Sequence, residues 1–168
     1  MVVPGWGAAV ARSAGIATPP GFVLLAVFVG GARGVMAGAP RGGVSTGDMV
    51  KGRTGQTQTV LQDGRALVTG GEAMRQALDS TEIFDPVKSS WSEIPSMSVP
   101  RRRHTATLLG DGRDLVVGGQ TGRESIATVE VFHPRNNTWI SLPSLHEARY
   151  SHSATLLPDG DVLVAGGC

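Results

Sequence analysis

The stretch HTATLLGDGRDLVVGG at residues 104–119 occurs again as HSATLLPDGDVLVAGG at residues 152–167. Eleven of the sixteen positions are identical. A less similar copy, QTQTVLQDGRALVTGG, lies at residues 56–71, and the same interval separates each copy from the next. Constant spacing without insertions identifies a tandem repeat with a period of about 50 residues, so the fold is built from one repeated unit.

Each repeat predicts four short β-strands. The runs TATLL and LVV flank GDGRD, and Asp-Gly between two apolar runs is a strong hairpin signal because glycine adopts positive φ without strain. The run ATVEVF then alternates, with Val129 and Val131 on one face and Glu130 and Phe132 on the other. HPRNNT is a turn, and TWISL is a fourth strand that ends at Pro143. Short strands at such regular spacing predict an all-β fold.

This unit resembles the kelch repeat of β-propellers, and residues 56–167 carry the resemblance. It implies a partial kelch-type propeller with two four-stranded blades, at 56–99 and 104–147, and half of a third at 152–168. The form ATLLPDGDVLVAGG is similar to bacterial kelch-type proteins. The residues that carry the resemblance are its glycine pairs and tryptophans: Gly70, Gly71, Gly118, Gly119, Gly166, Gly167, Trp91 and Trp139.

The repeated residues are expected to hold the fold together. A glycine pair at a strand end allows positive φ and close packing of neighbouring blades, and the tryptophans supply apolar area between blades. Glu82 and Glu130 recur, whereas a catalytic residue is usually placed once, so we expect each to form a structural hydrogen bond or an ion pair, with Arg101 or Arg149 as the partner. The repeated histidines could bind a metal or form structural hydrogen bonds. Gln56 stands in the position of His104 and His152, which favours hydrogen bonds.

The segment before the repeats, residues 1–55, differs from them in composition. A run of apolar residues at 22–29 follows a single basic residue and precedes Ala37-Gly38-Ala39, which predicts a signal peptide or hydrophobic anchor over residues 1–39. A buried strand or a misassigned start codon are the alternatives. Residues 40–55 are rich in Gly, Ser, Thr and charge, and predict a flexible linker. A signal would place the protein outside the cell or in the cell envelope; without one it is cytoplasmic.

Composition narrows the possible functions. Fifteen Lys and Arg residues oppose fourteen Asp and Glu residues, and a formal net charge of +1 predicts no nucleic-acid partner. Cys168 is the only cysteine, so neither an intrachain disulfide nor a CxxC metal site can form. The sequence contains no phosphate-binding loop of the GxxxxGK[ST] type and no Gly-x-Ser-x-Gly nucleophile elbow. We therefore expect a non-enzymatic protein without a cofactor.

Two complete blades and a half cannot close a ring, because closed propellers have about four to eight blades. Open blades expose sheet edges and apolar faces to water, which promotes association. We expect either that the sequence is a fragment of a longer product or that several chains assemble to supply the missing blades.

Recognition is expected on one end of the blades. The Asp-Gly turns and the turns DPVKSS and HPRNNT share one end and leave little room for a ligand, whereas the loops at the other end vary between repeats. We predict a binding module for a protein or a carbohydrate. The residues chosen as its contacts lie in these variable loops: Arg75, Arg102, Arg103, Arg123, Glu124, His146 and Tyr150.

The alternative is part of a copper oxidase resembling galactose oxidase, whose catalytic domain is a kelch-type propeller. That resemblance implies a Tyr–Cys cross-link together with Tyr and His ligands. Tyr150 is the only tyrosine, and Cys168 lies at the end of the sequence in a glycine-rich motif. The copper ligands would therefore have to lie outside this chain.

Overall fold

The structure is a computed structural model that describes residues 24–27, 33–37 and 43–168. Its first sheet is antiparallel and has three strands in the order β1-β2-β3. These strands are β1 (Leu24–Val27), β2 (Arg33–Ala37) and β3 (Gly43–Asp48).

The first complete blade is a four-stranded antiparallel sheet in the order β4-β5-β8-β9. A small two-stranded hairpin, β6/β7, projects from the connection between β5 and β8. The bounds are β4 (Thr57–Val60), β5 (Ala66–Thr69), β6 (Glu72–Ala73), β7 (Gln76–Ala77), β8 (Thr81–Asp85) and β9 (Ser90–Ile94).

The second blade repeats this arrangement in the order β10-β11-β14-β15, again with a projecting hairpin, β12/β13. Its strands are β10 (Thr105–Leu108), β11 (Asp114–Val117), β12 (Gln120–Thr121), β13 (Glu124–Ser125), β14 (Val129–His133) and β15 (Thr138–Leu142). A hairpin of β16 (Ser153–Leu156) and β17 (Val162–Ala165) follows. The predicted all-β fold, with two four-stranded blades and half of a third, is confirmed.

The blades pack on each other through apolar side chains. Leu61, Leu67 and Ile83 of the first blade form a buried cluster with Phe132 of the second, and Trp139 packs against it. The ring centroids of Phe132 and Trp139 lie 5.1 Å apart. Burial of such large side chains is the main favourable term in folding, and the Trp139 Nε1 also donates to the carbonyl of Pro95 in the first blade at 2.9 Å.

The glycine pairs allow the blades to approach closely. Gly118 has φ +58°, and a Cβ on it would lie 2.5 Å from the carbonyl oxygen of Arg149 and 3.0 Å from the His152 ring. Gly119 has φ +113°, and its Cβ would lie 2.9 Å from the carbonyl oxygen of Arg102. Such contacts exclude any other residue, as the repeat predicted.

In each complete blade, a buried ion pair joins the segment before the first strand to the third strand of the four-stranded sheet. The Nη2 of Arg101 lies 2.5 Å from Oε1 of Glu130, and its Nη1 donates to the carbonyls of Gly118 (2.9 Å) and Thr128 (3.0 Å). Both side chains of the pair are essentially inaccessible to solvent. The expected pairing of Glu130 with Arg101 is confirmed.

The partner expected for Glu82 was wrong. Glu82 pairs with Arg53, which lies one repeat before Arg101 and donates in the same way to the carbonyls of Gly70 (3.0 Å) and Ser80 (2.8 Å). The carboxylate of Glu82 also accepts hydrogen bonds from the backbone N–H groups of Val50 and Lys51. In both blades the arginine belongs to the segment that leads into the blade and lies 29 residues before its glutamate.

The structure also differs from the flexible linker expected over residues 40–55. β3 occupies 43–48, and Thr46, Met49 and Arg53 are buried. β2 begins one repeat interval before β8, which indicates that the repeat extends one copy further towards the N terminus. The signal or anchor expected over residues 1–39 lies mostly outside the described residues and stays a prediction. No helix in the described parts of the chain is long and apolar enough to span a membrane.

The repeated histidines join neighbouring blades through hydrogen bonds. His104 is buried, and its Nε2 lies 2.9 Å from Oγ1 of Thr57 and 3.0 Å from Oγ1 of Thr69 in the preceding blade. His152 lies equivalently, with its Nε2 2.8 Å from Oγ1 of Thr105. These contacts confirm the structural role expected from the presence of Gln56 in the first copy.

His104 is expected to make the protein sensitive to acid. Burial, reinforced by the charge of Arg101 and by His152, lowers the pKa of His104 to about 3, whereas the unfolded chain has the ordinary value near 6.5. Because the pKa is lower in the folded chain, the contribution of His104 to the free energy of unfolding is complete above pH 6.5 and is lost as the pH falls towards 3. About 2 kcal/mol is lost by pH 5. His104→Gln, which introduces the residue of the first copy, should abolish this loss.

The measurement is the free energy of unfolding in urea at pH 7 and pH 5, for His104→Gln and for the wild type. The difference between the two proteins should shift by about 2 kcal/mol in favour of the variant between these pH values. A difference that does not change with pH would show that His104 is not held neutral in the fold.

Candidate functional site

The variable loops form a surface that we call the hairpin face. It comprises the hairpins β6/β7 and β12/β13 and the connections at residues 98–104 and 145–152. The two hairpins contact each other through β7 and β12. The backbone at their tips is left-handed, with φ of 67° at Arg75 and 56° at Gly122, so the chain reverses direction in a tight turn at each tip. Met74 at one tip is 98% exposed.

Arg102 holds the hairpin face together. Its backbone N–H and carbonyl pair with Gln120 at 3.0 and 2.8 Å, and its Nη2 donates to the carbonyl of Gly122 at 3.0 Å. Its Nη1 forms an ion pair with Glu72 of the other hairpin. Arg102 was predicted to contact a partner, but in the structure its guanidinium bridges the two hairpins.

Three other predicted arginines project from this face. Arg75, Arg103 and Arg123 are exposed, and their guanidinium groups form no ion pair or hydrogen bond with any residue that the structure describes. Glu124 is also exposed beside the second tip. Because Glu72 is neutralised by Arg102, the three arginines leave the hairpin face with an excess of positive charge.

The remaining two predicted contacts lie in the next connection. The backbone N–H of Ser151 donates to the carbonyl of Arg103 at 2.9 Å, so the chain that carries half-buried Tyr150 passes beside Arg103. His146 is exposed nearer the start of the same connection. The predicted residues thus share one end of the blades.

A recess lies at the end of the blades opposite the hairpin face, between the turns of the two blades, and we call it the turn pocket. It has a volume of about 600 Å³ and was missed, because short turns were expected to leave no space there. Its walls include Leu61, Asp63 and Asp111 together with His133, Pro134 and Arg135. A cavity of this size accommodates a small organic ligand.

The two aspartates of the turn pocket are already paired within their own turns. Asp63 contacts the Arg65 guanidinium at 2.7 Å, and Asp111 contacts that of Arg113 at 2.6 Å. The backbone N–H of Arg113, assisted by its side chain, lowers the pKa of the Asp111 carboxyl. Arg65 also donates to the Pro134 carbonyl at 3.1 Å and so ties the two blades together.

Comparison with protein families assigns the repeated unit. The family model for the kelch motif matches twice, at residues 54–98 and 100–146, which together make more than half of the chain. The chain belongs to the kelch-repeat family. No protein of curated function matches the sequence. Kelch repeats generally mediate protein binding or scaffolding, and the two matches coincide with the two complete blades.

The kelch fold also explains where Tyr150 and Cys168 lie. Their backbones exchange two hydrogen bonds, of 3.0 and 3.1 Å, so the residues named in the copper-oxidase alternative are backbone neighbours. The same exchange joins Arg102 to Gln120 and Thr54 to Glu72, one and two repeats earlier. The contact therefore follows from the repeat. Among the described residues, no group of three or more His, Cys, Asp or Glu side chains is placed to hold a metal ion.

Proposed function

We propose that the protein is a kelch-repeat binding module that recognises an acidic segment of a partner protein through its hairpin face. The observation that carries the proposal is the trio of exposed, unpaired arginines, Arg75, Arg103 and Arg123, on one preformed surface. Arginine is enriched at interfaces because its planar guanidinium binds carboxylates in a bidentate manner. A carbohydrate is the other class of partner that such loops could bind.

The rigidity of the hairpin face supports this function. Arg102 is bonded to both hairpins, so their tips do not need to be ordered when a partner binds. Less conformational entropy is then lost on association, and a larger part of the contact energy contributes to affinity. The exposed Met74 adds an adaptable apolar contact between the charged groups.

The test is selection of peptides from a random library by the immobilised chain at about 0.15 M salt, where screening leaves only close charge pairs effective. We expect enrichment of Asp and Glu, and at least tenfold weaker binding of the selected peptides to Arg75→Ala/Arg103→Ala/Arg123→Ala. Lys88→Ala is the matched control, because Lys88 is an exposed cation at the opposite end of the blade.

Three results would contradict the proposal. Selected peptides without acidic enrichment, or peptides whose affinity the triple variant leaves unchanged, would exclude this surface as the protein-binding site. Binding to an array of neutral glycans in the absence of peptide binding would replace the protein partner by a carbohydrate.

A further inference from the structure

The turn pocket concentrates residues that depart from the repeat. Scaffold positions recur from blade to blade, as in Asp63 and Asp111, which both belong to Asp-Gly turns. The turn between β14 and β15 breaks this rule, because His133 and Arg135 replace Asp85 and Val87 of the first blade, while the intervening proline is retained. Residues that the fold requires recur in each blade, so the fold alone does not explain why this turn carries a histidine and an arginine.

The replacement of Asp85 removes a local stabilising interaction. In the first blade, Oδ1 of Asp85 accepts hydrogen bonds from the N–H groups of Val87 (2.9 Å) and Lys88 (3.2 Å), which hold the turn. The His133 side chain makes no such bond, and neither His133 nor Arg135 has a side-chain partner among the described residues. Both residues nevertheless line the turn pocket, so two polar side chains without an internal partner border the same cavity.

The charges of the pocket select its ligand. Asp63 and Asp111 are each neutralised by an arginine of their own turn, which leaves the Arg135 guanidinium as the uncompensated charge among the lining residues. A guanidinium with an adjacent imidazole binds a carboxylate, and Leu61 and Pro134 offer apolar surface to the body of the ligand. The paired aspartates retain lone pairs that can accept hydrogen bonds from hydroxyl groups.

We propose that the turn pocket binds a small hydroxylated carboxylic acid, such as a sugar acid, with Arg135 and His133 holding the carboxylate. This site lies at the opposite end of the blades from the hairpin face and does not depend on a partner protein. It gives the module a second, small-molecule specificity. Gln62 helps to form its wall by donating to the carbonyl of Gly110 across the blade interface at 3.2 Å.

The test uses glucuronate as the probe and glucose, the same ring without the carboxylate, as its neutral counterpart. Titration of the complete chain by calorimetry or NMR should show saturable binding of glucuronate and at least tenfold weaker binding of glucose. His133→Asp/Arg135→Val, which installs the turn sequence of the first blade, should weaken glucuronate binding at least tenfold. Arg135→Val alone should reproduce most of the loss in affinity. This single variant replaces the double variant in the test if the double variant is unstable.

The hairpin-face variant Arg75→Ala/Arg103→Ala/Arg123→Ala is the matched control and should bind glucuronate like the wild type. Retention of binding there, together with loss in the turn variants, places the ligand in the turn pocket. The proposal is wrong if glucuronate shows no saturable binding, if glucose binds equally well, or if Arg135→Val retains the wild-type affinity. None of these outcomes bears on the peptide selection, so the two sites are tested separately.

Discussion

Arg101→Met is expected to lower the free energy of unfolding by about 3–5 kcal/mol, because it leaves the buried Glu130 carboxylate without its counter-charge. The glutamate is only 2% exposed and retains one backbone donor, the N–H of Ser98 at 2.8 Å. The carbonyls of Gly118 and Thr128 also lose their guanidinium donor. Small domains have total stabilities of about 5–15 kcal/mol, so this single change approaches global unfolding.

The repeat supplies the control for this experiment. Arg149 is the equivalent residue one repeat later, but among the described residues its guanidinium contacts only the Gly166 carbonyl, at 2.8 Å, and the exposed Glu147. Arg149→Met should therefore cost about 1 kcal/mol or less, since exposed ion pairs contribute little. Urea unfolding of both variants measures the difference, and equal losses would show that the Arg101–Glu130 pair has no special role.

A second comparison separates the charge from the packing. Arg101→Met/Glu130→Met removes both members of the ion pair, and such replacements are often neutral or stabilising when the new side chains pack well. We expect the double variant to recover most of the stability lost in Arg101→Met. A double variant that is less stable than Arg101→Met would place the cost in the lost hydrogen bonds and packing.

Repetition made most of the fold predictable. Asp-Gly at 111–112 must reverse the chain tightly and Gly-Gly at 118–119 must pack without Cβ atoms, so their constant spacing defines the strands between them. β2 and β3 were not predicted, and a strand in the apolar run that contains β1 was only an alternative, because this segment lacks the Asp-Gly and Gly-Gly pairs. Gly43 stands at the repeat position of Trp91, and Gly34 at that of Glu82. Only Arg53 retains a marker, and its role became clear from the buried pair with Glu82.

The candidate sites were predictable only in part. The sequence locates Arg102 in a variable loop but cannot show that Glu72, in the hairpin of the preceding blade, neutralises it. Glu72 is not repeated, since Gln120 stands in its place, so no periodic pattern indicated the pair. The turn pocket is formed by turns of two different blades, and its existence depends on how they pack. The replacement of Asp85 and Val87 by His133 and Arg135 was the sign of it in the sequence.

Asp114→Asn is expected to stabilise the protein at neutral and alkaline pH by about 4 kcal/mol and to have no effect near pH 4. Asp114 begins β11 and is fully buried opposite Phe132 in the apolar interface, and neither carboxylate oxygen has a well-aligned hydrogen-bond partner among the described residues. Ala66 and Val162 occupy this position in the other repeats, so the fold does not require an acid here.

The sign follows from the direction of the shift. Burial raises the pKa of Asp114 to about 7, against 3.8 for the unfolded chain, although the Thr59 hydroxyl favours the charged form. The unfolded state therefore loses its proton first as the pH rises. Full stability is present below pH 4 and is lost between about pH 4 and pH 7, each unit of pKa difference costing about 1.4 kcal/mol.

Urea unfolding of Asp114→Asn and the wild type at several pH values between 4 and 8 tests this expectation. Comparison at equal pH is essential, because His104 changes the stability of both proteins in the opposite direction over the same range. Asp111→Asn is the control: Asp111 is exposed and its pKa is lowered by Arg113, so its effect should be constant above pH 5. A pH-independent difference for Asp114→Asn would mean that the Asp114 carboxylate is solvated or paired in the folded protein.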